Sequence, residues 1–325
     1  MFRVFPAGQE TSRLIACAGA LGLVMATAPA AAAGQAKGDA SLRVEYQYIR
    51  TGDFYDDSIF FESGGDVGTT DAHVLLFSGD YALSPRWTLF ASLPYIQKQH
   101  QGARPHDFTE FVNFDPPDRT LVDDGDYHGG FQDLSVGVRY RALDGPLSVS
   151  PFISYGVPTT DYPFYGKAII GLNLWHVPIG VDFGFQPYFS DWYFNGSVAY
   201  VISEKPLDVN VNHWLLFGSA GYYFSPQLFA SLFVSYKNTP NGLRLPEDFT
   251  DDPFYQDFSD FDTELWWQHD RVLAHSFTNV GFGIDYVLSR KNVVSFQYFT
   301  TVYADQANEV DNAVTFAITR YFGGD

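Results

Sequence analysis

Apolar and polar residues alternate one by one along much of the chain, in runs separated by turn-forming residues. The stretch "GDYALSPRWTLFASLPYI", residues 79–96, contains two such runs on either side of a Ser-Pro turn, which is typical of a β-hairpin. In the second run Trp87 and Leu89 share one face, whereas Thr88 and Ser92 share the other. This pattern predicts strands that lie between a hydrophobic environment and a polar one.

About twelve segments alternate in this way, and each has roughly the length of a tilted strand that crosses the hydrocarbon layer of a membrane. The predicted strands cover residues 41–51, 71–82, 87–97, 131–142, 147–157, 177–189, 192–203, 213–224, 228–238, 276–288, 293–305 and 311–322.

The joins between these strands fall into two alternating classes. Short turns follow every second strand, whereas most of the other joins are longer, with the longest at 98–130 and 239–275. Outer-membrane barrels show this alternation, with short periplasmic turns, longer extracellular loops and both termini in the periplasm. A soluble β-sandwich is the alternative, but it is not expected to sort its joins into two classes. The sequence therefore predicts an all-β, transmembrane antiparallel barrel of about twelve strands.

The composition is consistent with this fold class. The chain contains 31 Phe, 21 Tyr, 6 Trp and 29 Gly in 325 residues, and aromatic residues are enriched in strands. A mean hydropathy of −0.11 suits a barrel in which every second strand residue faces water. Closure of the sheet is expected, because an open edge in hydrocarbon leaves backbone groups unpaired.

The N-terminal segment has the pattern of a secretory signal peptide. A start that carries Arg3 and Arg13 precedes the apolar run "LIACAGALGLVMATA" and a patch of small residues. We expect cleavage near Ala33, so that residues 1–33 are removed and residues 34–325 form one barrel domain. A lipoprotein signal at Cys17 is the alternative, but this cysteine opens the apolar run instead of closing it. Cys17 is the single cysteine of the chain, so no internal disulfide is expected.

The net charge restricts the partners. The formal charge of −19 repels nucleic acid and anionic surfaces, so nucleic acid is not an expected partner. The expected partners are the lipid and lipopolysaccharide of the outer membrane and a small-molecule solute. The sequence makes no prediction of the oligomeric state.

Three stretches resemble a known family. "YALSPRWTLFASLPYI", "GGFQDLSVGVRYRAL" and "ISYGVPTTDY" are similar to motifs of the outer-membrane barrel proteins labelled MetA-pathway of phenol degradation, which are transporter-like. The similarity in layout covers most of residues 70–322. Thr160 stands where that family has a glycine after Pro-Thr. The resemblance implies a barrel that passes aromatic or other hydrophobic compounds.

Charged side chains on the predicted inner face are the candidate functional residues. Two interpretations remain open for them: a pore lining that selects solutes by charge, or cross-strand ion pairs that fill the lumen. Arg139 and Arg141, two residues apart on one strand, are the pair expected to line a passage. By the alternation of faces, the lumen candidates are Arg43, Glu45, Asp80, Asp133, Arg139, Arg141, Asp182, Lys237 and Asp285.

Two of the long joins are acidic and aromatic. Carboxylates of this kind suit calcium or magnesium, which could bridge to lipopolysaccharide phosphates, but the spacing of a calcium loop is missing, and solvated loops are the simpler interpretation. Their aromatic residues suggest that these loops fold inward as a plug or form an apolar entrance. The acids are Asp107, Glu110, Asp115, Asp118, Asp123, Asp124 and Asp126 in the first join, and Glu247, Asp248, Asp251, Asp252, Asp257, Asp260, Asp262 and Glu264 in the second.

No enzyme, cofactor or metal site is predicted. A membrane hydrolase needs a serine beside a histidine on one strand face, whereas His275 and Ser276 are adjacent and point to opposite faces. His100 and His106 are isolated. The predicted function is a channel or facilitator for small molecules, including hydrophobic or aromatic ones. The alternatives are a closed structural or binding barrel whose acidic outer loops engage cations, lipopolysaccharide or a partner, and an outer-membrane enzyme.

Overall fold

The computed structural model describes residues 36–55, 68–102, 120–244 and 263–323. The expected signal peptide lies outside these ranges, as do most of the acidic residues of the two long joins. Among the described residues, no helix has the length and hydrophobicity needed to cross a bilayer.

The described part is almost entirely β-structure, with one short α-helix, α1 (Thr263–Val272), and a 3₁₀ turn at Pro206–Asp208. The strands are β1 (Ala40–Tyr55), β2 (Thr69–Ala82), β3 (Trp87–Gln101), β4 (His128–Phe131), β5 (Asp133–Tyr140), β6 (Leu147–Pro158), β7 (His176–Phe185), β8 (Trp192–Ser203), β9 (His213–Tyr223), β10 (Leu228–Asn238), β11 (Ser276–Ser289), β12 (Asn292–Asp305) and β13 (Ala307–Phe322).

The strands form one closed antiparallel barrel. Each strand pairs with its sequence neighbours, and β1 also pairs with β13 from Ala40↔Phe322 upward. Strands β4 and β5 both pair with β3 and are the two halves of one strand that is interrupted at Gln132. The barrel therefore has twelve strands, as predicted, and closure pairs both edges of every described strand except the short β4, which pairs with β3 alone.

The alternation predicted from the sequence is present in the side chains. Trp87 and Leu89 point outward and are 46% and 38% exposed, whereas Thr88, Phe90 and Ser92 point into the lumen and are buried. Outward-facing aromatic residues form a belt near each end of the barrel, as in membrane barrels. The belts contain Tyr81, Trp87, Tyr140, Trp192, Tyr222 and Tyr286 at one end, and Tyr46, Tyr95, Tyr155, Tyr200, Trp214 and Tyr298 at the other.

The joins alternate in length as expected. We call the end with the short joins 83–86, 141–146, 186–191, 224–227 and 290–291 the turn end, and the opposite end the loop end. Several predicted boundaries were wrong: β1 and β3 extend further, to Tyr55 and Gln101, β13 begins earlier, at Ala307, and the strand expected at 177–189 ends at Phe185. Pro187 has no N–H to continue the ladder, and Phe189 has a left-handed backbone (φ 58°), so the chain leaves the sheet there.

Lumen-facing glycines hold aromatic rings flat against the barrel wall. Phe90 is the direct cross-strand partner of Gly137, and a Cβ atom on that glycine would overlap the Phe90 ring. The same arrangement recurs elsewhere around the barrel. It pairs Phe152 with Gly180, His176 with Gly156, Tyr193 with Gly221 and Phe233 with Gly281. Only glycine allows a ring to approach the neighbouring strand so closely, and this keeps bulky side chains away from the barrel axis.

Candidate functional site in the barrel lumen

Six charged side chains face the lumen close to the turn end. We call them the charged ring. It contains four carboxylates and two guanidiniums, a formal charge of −2. Each residue lies within five positions of the turn end of its strand, so the strand register brings them to a similar depth. The charged ring consists of Arg43, Glu45, Asp80, Arg139, Asp182 and Asp285.

One half of the charged ring is built on β1, β11 and β12. Arg43 donates from Nε and Nη2 to Glu45 Oε2, at 2.9 and 2.7 Å. Its Nη1 lies 3.4 Å from Ser295 Oγ, which in turn donates to Asp285 Oδ1 at 2.5 Å. All these groups are buried, so the ion pair compensates charges that have lost their water.

The other half of the charged ring centres on Arg139. Its Nε donates to Asp182 Oδ2 at 3.1 Å, and its Nη1 lies 3.5 Å from Asp80 Oδ1. Ser197 donates to the second oxygen of Asp182 at 2.8 Å, and the Phe90 ring lies 4.9 Å below the guanidinium. Arg139, on β5, therefore links β2 to β7, reaching across β3 on one side and β6 on the other.

The middle and loop-end part of the lumen is apolar on one side. Its residues come from six strands and from the join between β6 and β7, residues 159–175, which we call the inserted segment. Two side chains of this segment, Tyr162 and Ile170, belong to the apolar cluster. The cluster contains Ile49, Ala72, Val74, Leu76, Ile96, Tyr162, Ile170, Phe233, Phe299, Val310 and Ala313.

A strong hydrogen bond ties the inserted segment to the barrel wall. Tyr162 donates to Asp133 Oδ1 at 2.5 Å, and the Asn173 N–H donates to the same phenol oxygen at 3.3 Å. Burial and the neighbouring Asp133 carboxylate raise the pKa of Tyr162. The phenol therefore stays protonated and remains a donor to the buried carboxylate.

A second contact to the inserted segment comes from the join before β4. Asp123 is buried and accepts the backbone N–H groups of Lys167 and Ala168, at 2.9 and 2.8 Å. The Lys167 ammonium reaches Asn308 Oδ1 at 3.2 Å. Asp123 was expected to be a loop carboxylate that binds cations or water; in the structure it holds the inserted segment.

Helix α1 lies against the inserted segment. Trp267 stacks on Tyr165 with ring centroids 4.8 Å apart, and the Arg271 guanidinium lies 4.2 Å from the centre of the Phe164 ring. Arg271 also donates to the Asn173 carbonyl at 3.0 Å. Burial lowers the pKa of Arg271. The loop end is therefore filled by two chain segments that contact each other and the wall.

Lys237 lies at the loop end among histidines. It pairs in register with Phe277, so His275 is its diagonal neighbour on the lumen face. His275 contacts the carbonyls of Gln306 and Asp270 at 2.6 and 3.0 Å. Burial and the Lys237 charge lower the pKa of His275 to about 4, against the opposing effect of the two carbonyls.

The described lumen is filled on one side and partly accessible on the other. On β1, β12 and β13 the lumen side chains Glu45, Gln47, Gln297, Phe299 and Thr315 are at most 1% exposed. Between the buried lumen residues Ser150, Asp182, Tyr193 and Ser197, seven small or flat residues of β6–β9 are half-buried, from the turn end to mid-barrel. We call them the lumen groove: Ser148, Phe152, Gly180, Gly184, Asn195, Phe217 and Ser219. The groove opens at the turn end into a cavity of about 730 Å³.

The candidate residues chosen from the sequence are not all brought together. Eight of the nine lie in the lumen, six of them in the charged ring, with Asp133 and Lys237 nearer the loop end. Arg141 is separated from Arg139: it follows β5 and lies 3.7 Å from Asp144 in the turn. Whether these residues select solutes stays a prediction.

The histidines considered for enzyme or metal chemistry have other contacts in the structure. His275 contacts backbone carbonyls, while Ser276 donates to Asn238 at 3.0 Å, so the two do not form a nucleophile and base. His100 Nδ1 lies 3.0 Å from Thr70 Oγ1. In the described ranges no cluster of His, Cys, Asp and Glu has metal-binding geometry.

Sequence reasoning missed the inserted segment, although "YPFYGKAIIGLNLW" is apolar for a solvated loop.

Comparison with solved structures supports the fold. An outer-membrane channel from Pseudomonas putida F1 superposes with a TM-score of 0.65 and 13% identity, over 91% of this chain and 100% of that one. The chain is an outer-membrane β-barrel. A monoaromatic hydrocarbon channel, CymD, is more distant, with a TM-score of 0.39 and 11% identity over 89% of this chain and 90% of that one, too low to support an argument. No protein-family model and no curated protein matches the sequence.

Proposed function

We propose that the barrel is an outer-membrane channel or facilitator for small molecules. The observation that carries this proposal is the lumen groove, because small residues and flattened rings keep one wall accessible from the turn-end cavity to mid-barrel. In an outer-membrane barrel the short turns face the periplasm, so this groove is the periplasmic half of the passage. The inserted segment closes the outer half, and transport requires it to move.

The proposed solutes are hydrophobic or aromatic compounds. Support comes from the resemblance to the phenol-degradation family and from the apolar, aromatic surface against which the inserted segment packs. Uptake of labelled phenol, compared with that of a labelled sugar, in cells with and without the barrel tests this solute class. If the barrel stimulates phenol and sugar uptake equally, or stimulates neither, the proposed solute class is rejected.

A closed binding barrel is the second candidate, with its acidic outer loops engaging cations, lipopolysaccharide or a partner. The specific observation in its favour is that the charged ring is paired and buried while the inserted segment fills the loop end. Such a barrel has the same fold but no passage. Its lumen contacts then serve stability alone.

Planar-bilayer conductance distinguishes the two functions. The purified full barrel is compared with a variant in which residues 161–172 are replaced by an equal-length Gly-Ser sequence. Equal-length Gly-Ser replacement of 225–227, a turn at the opposite end of the barrel, is the control. A channel gives discrete openings that become larger or longer in the first variant and not in the control. Silence in all three proteins, with insertion shown by protease protection, supports the closed barrel.

Export is part of the same proposal. We infer that residues 1–33 are a cleaved signal peptide, because the charged start, apolar run and small residues occur in that order. Sequencing the N-terminus of the barrel from membranes tests this, and a retained Met1 would contradict it.

A further inference from the structure

The turn-end cavity has a wall chemistry that differs from the rest of the lumen. Its volume is about 730 Å³, within the range of small-molecule sites. Aromatic rings and small polar groups line it. Asp191 is the one acidic or basic residue in this lining. Its lining includes Tyr188, Phe189, Asp191 and Asn195.

Two aromatic side chains of the turn 186–191 are exposed at the rim of the cavity. Tyr188 is 76% exposed and Phe189 is fully exposed. Phe189 also has a left-handed backbone (φ 58°), which is costly for a bulky residue. Because the Phe189 ring is exposed, packing inside the barrel does not offset the cost of its backbone conformation. Ring faces that are open to a cavity are available to a ligand.

Acidic groups lie at the cavity and near it. Asn195 lines the cavity, and Ser197 follows it on the same face of β8 and donates to Asp182 of the charged ring. The ring carries a formal charge of −2, and the Asp191 carboxylate lies at the cavity itself. A cleft lined by one sign of charge concentrates counter-ions of the other sign.

We propose that the turn-end cavity binds organic ammonium cations, with the charged head against the faces of Tyr188 and Phe189 and beside the Asp191 carboxylate. Aromatic faces combined with a carboxylate attract an alkylated ammonium, whereas a neutral molecule of equal shape loses the cation–π and Coulomb contributions. The proposal does not require the barrel to conduct. Bilayer conductance and ligand binding therefore test the proposed function and this site separately.

Calorimetric titration of the purified barrel with choline tests the site, in a detergent without a charged headgroup. The neutral isostere 3,3-dimethylbutan-1-ol is the control ligand. We expect choline to bind roughly ten-fold more tightly than the alcohol. Asp191→Asn should weaken choline binding several-fold and leave the alcohol unchanged. Asp144→Asn is the matched control, because Asp144 lies in the neighbouring turn, outside the cavity lining, and pairs with Arg141.

The aromatic rim is tested by Phe189→Asn, which removes the ring and suits the left-handed backbone. Choline binding should fall several-fold, and Tyr188→Ala serves as a second variant if the first does not fold. Equal affinities for choline and the alcohol, or choline binding that survives both Asp191→Asn and Phe189→Asn, would overturn the proposal. So would a loss of vesicle insertion in Phe189→Asn with unchanged choline binding, which would make the rings membrane anchors only.

Discussion

The two ends of the lumen are held together in different ways. At the turn end, the contacts of Arg43 and Arg139 join strands to strands. At the loop end, Asp133 joins the wall to the inserted segment, and Asp123 joins the inserted segment to another segment that lies between strands. The first set belongs to the barrel framework, whereas the second can break while every strand pair stays intact. We therefore expect the contacts at the turn end to determine the stability of the barrel, and those at the loop end to control its opening.

This difference follows from the cost of breaking each set. If a buried ion pair between strands separates while the barrel stays closed, each charge remains buried without its partner. The pair can therefore separate at low cost only if the barrel opens. Lifting the inserted segment exposes an apolar surface and breaks a few hydrogen bonds, which is a local transition of lower free energy. Substitutions at the two ends and a change of pH test this division.

Glu45→Gln should have the largest effect, at the turn end. The substitution removes the carboxylate that compensates buried Arg43, and breaking a buried pair in this way costs about 3–5 kcal/mol. The free energy of unfolding, measured by urea titration in lipid vesicles, should fall by that amount. Asp144→Asn, which changes an exposed carboxylate in a turn, is the control and should show no measurable loss. Equal unfolding free energies in the two variants would contradict the framework role of the charged ring.

Gly137→Ala should destabilise the framework by an intermediate amount. The added methyl group would overlap the Phe90 ring and lies 2.6 Å from the Ile153 carbonyl oxygen, and overpacking of this kind costs about 1–3 kcal/mol. Gly218→Ala is the matched control, because its Cβ would meet its nearest neighbour, Val234 Cγ1, at 3.8 Å. Urea unfolding of the pair measures the difference. If both variants lose the same free energy, close packing of rings over lumen glycines is not important.

Tyr162→Phe should affect opening more than global stability. The change leaves the Asp133 carboxylate without its phenol donor, which costs the docked state about 1–3 kcal/mol. If the barrel conducts, its open probability should rise, while the urea midpoint stays near that of the unmodified protein. Tyr155→Phe, on the outward face of β6, is the control. A shift in the urea midpoint without a change in opening would place Tyr162 in the framework instead.

Acidification should destabilise the loop end. We expect this effect to be smaller than those of the three substitutions. The pKa of His275 is lowered to about 4 in the folded protein, below the value of about 6.5 of an unperturbed histidine. The unfolded loop therefore binds the proton more readily, and the stability present above pH 6.5 is lost as the pH falls towards 4. Amide hydrogen exchange of α1, corrected for intrinsic rates, should increase several-fold between pH 7 and pH 5. His275→Gln should remove this increase.

The sequence by itself determined the architecture, because a transmembrane barrel repeats one simple rule in every strand. Alternation with a period of two places Trp87 and Leu89 outside and Thr88 inside whatever the neighbouring strands contain. The strand count, the two classes of joins and the outer-membrane location follow from that rule. It failed at 186–189, where the alternation continues in the sequence but Pro187 and the left-handed Phe189 end the ladder.

Only the tertiary structure decided which lumen groups meet. Arg139 and Arg141 share a face in sequence, yet the first links β2 to β7 and the second pairs within a turn. The position of the inserted segment depends on apolar side chains from six strands at once, so no local pattern specifies it. Periodicity is a property of one strand and can be seen in the sequence. The contents of the lumen depend on register, barrel closure and the return of loops into the bore, and these are set by all twelve strands together.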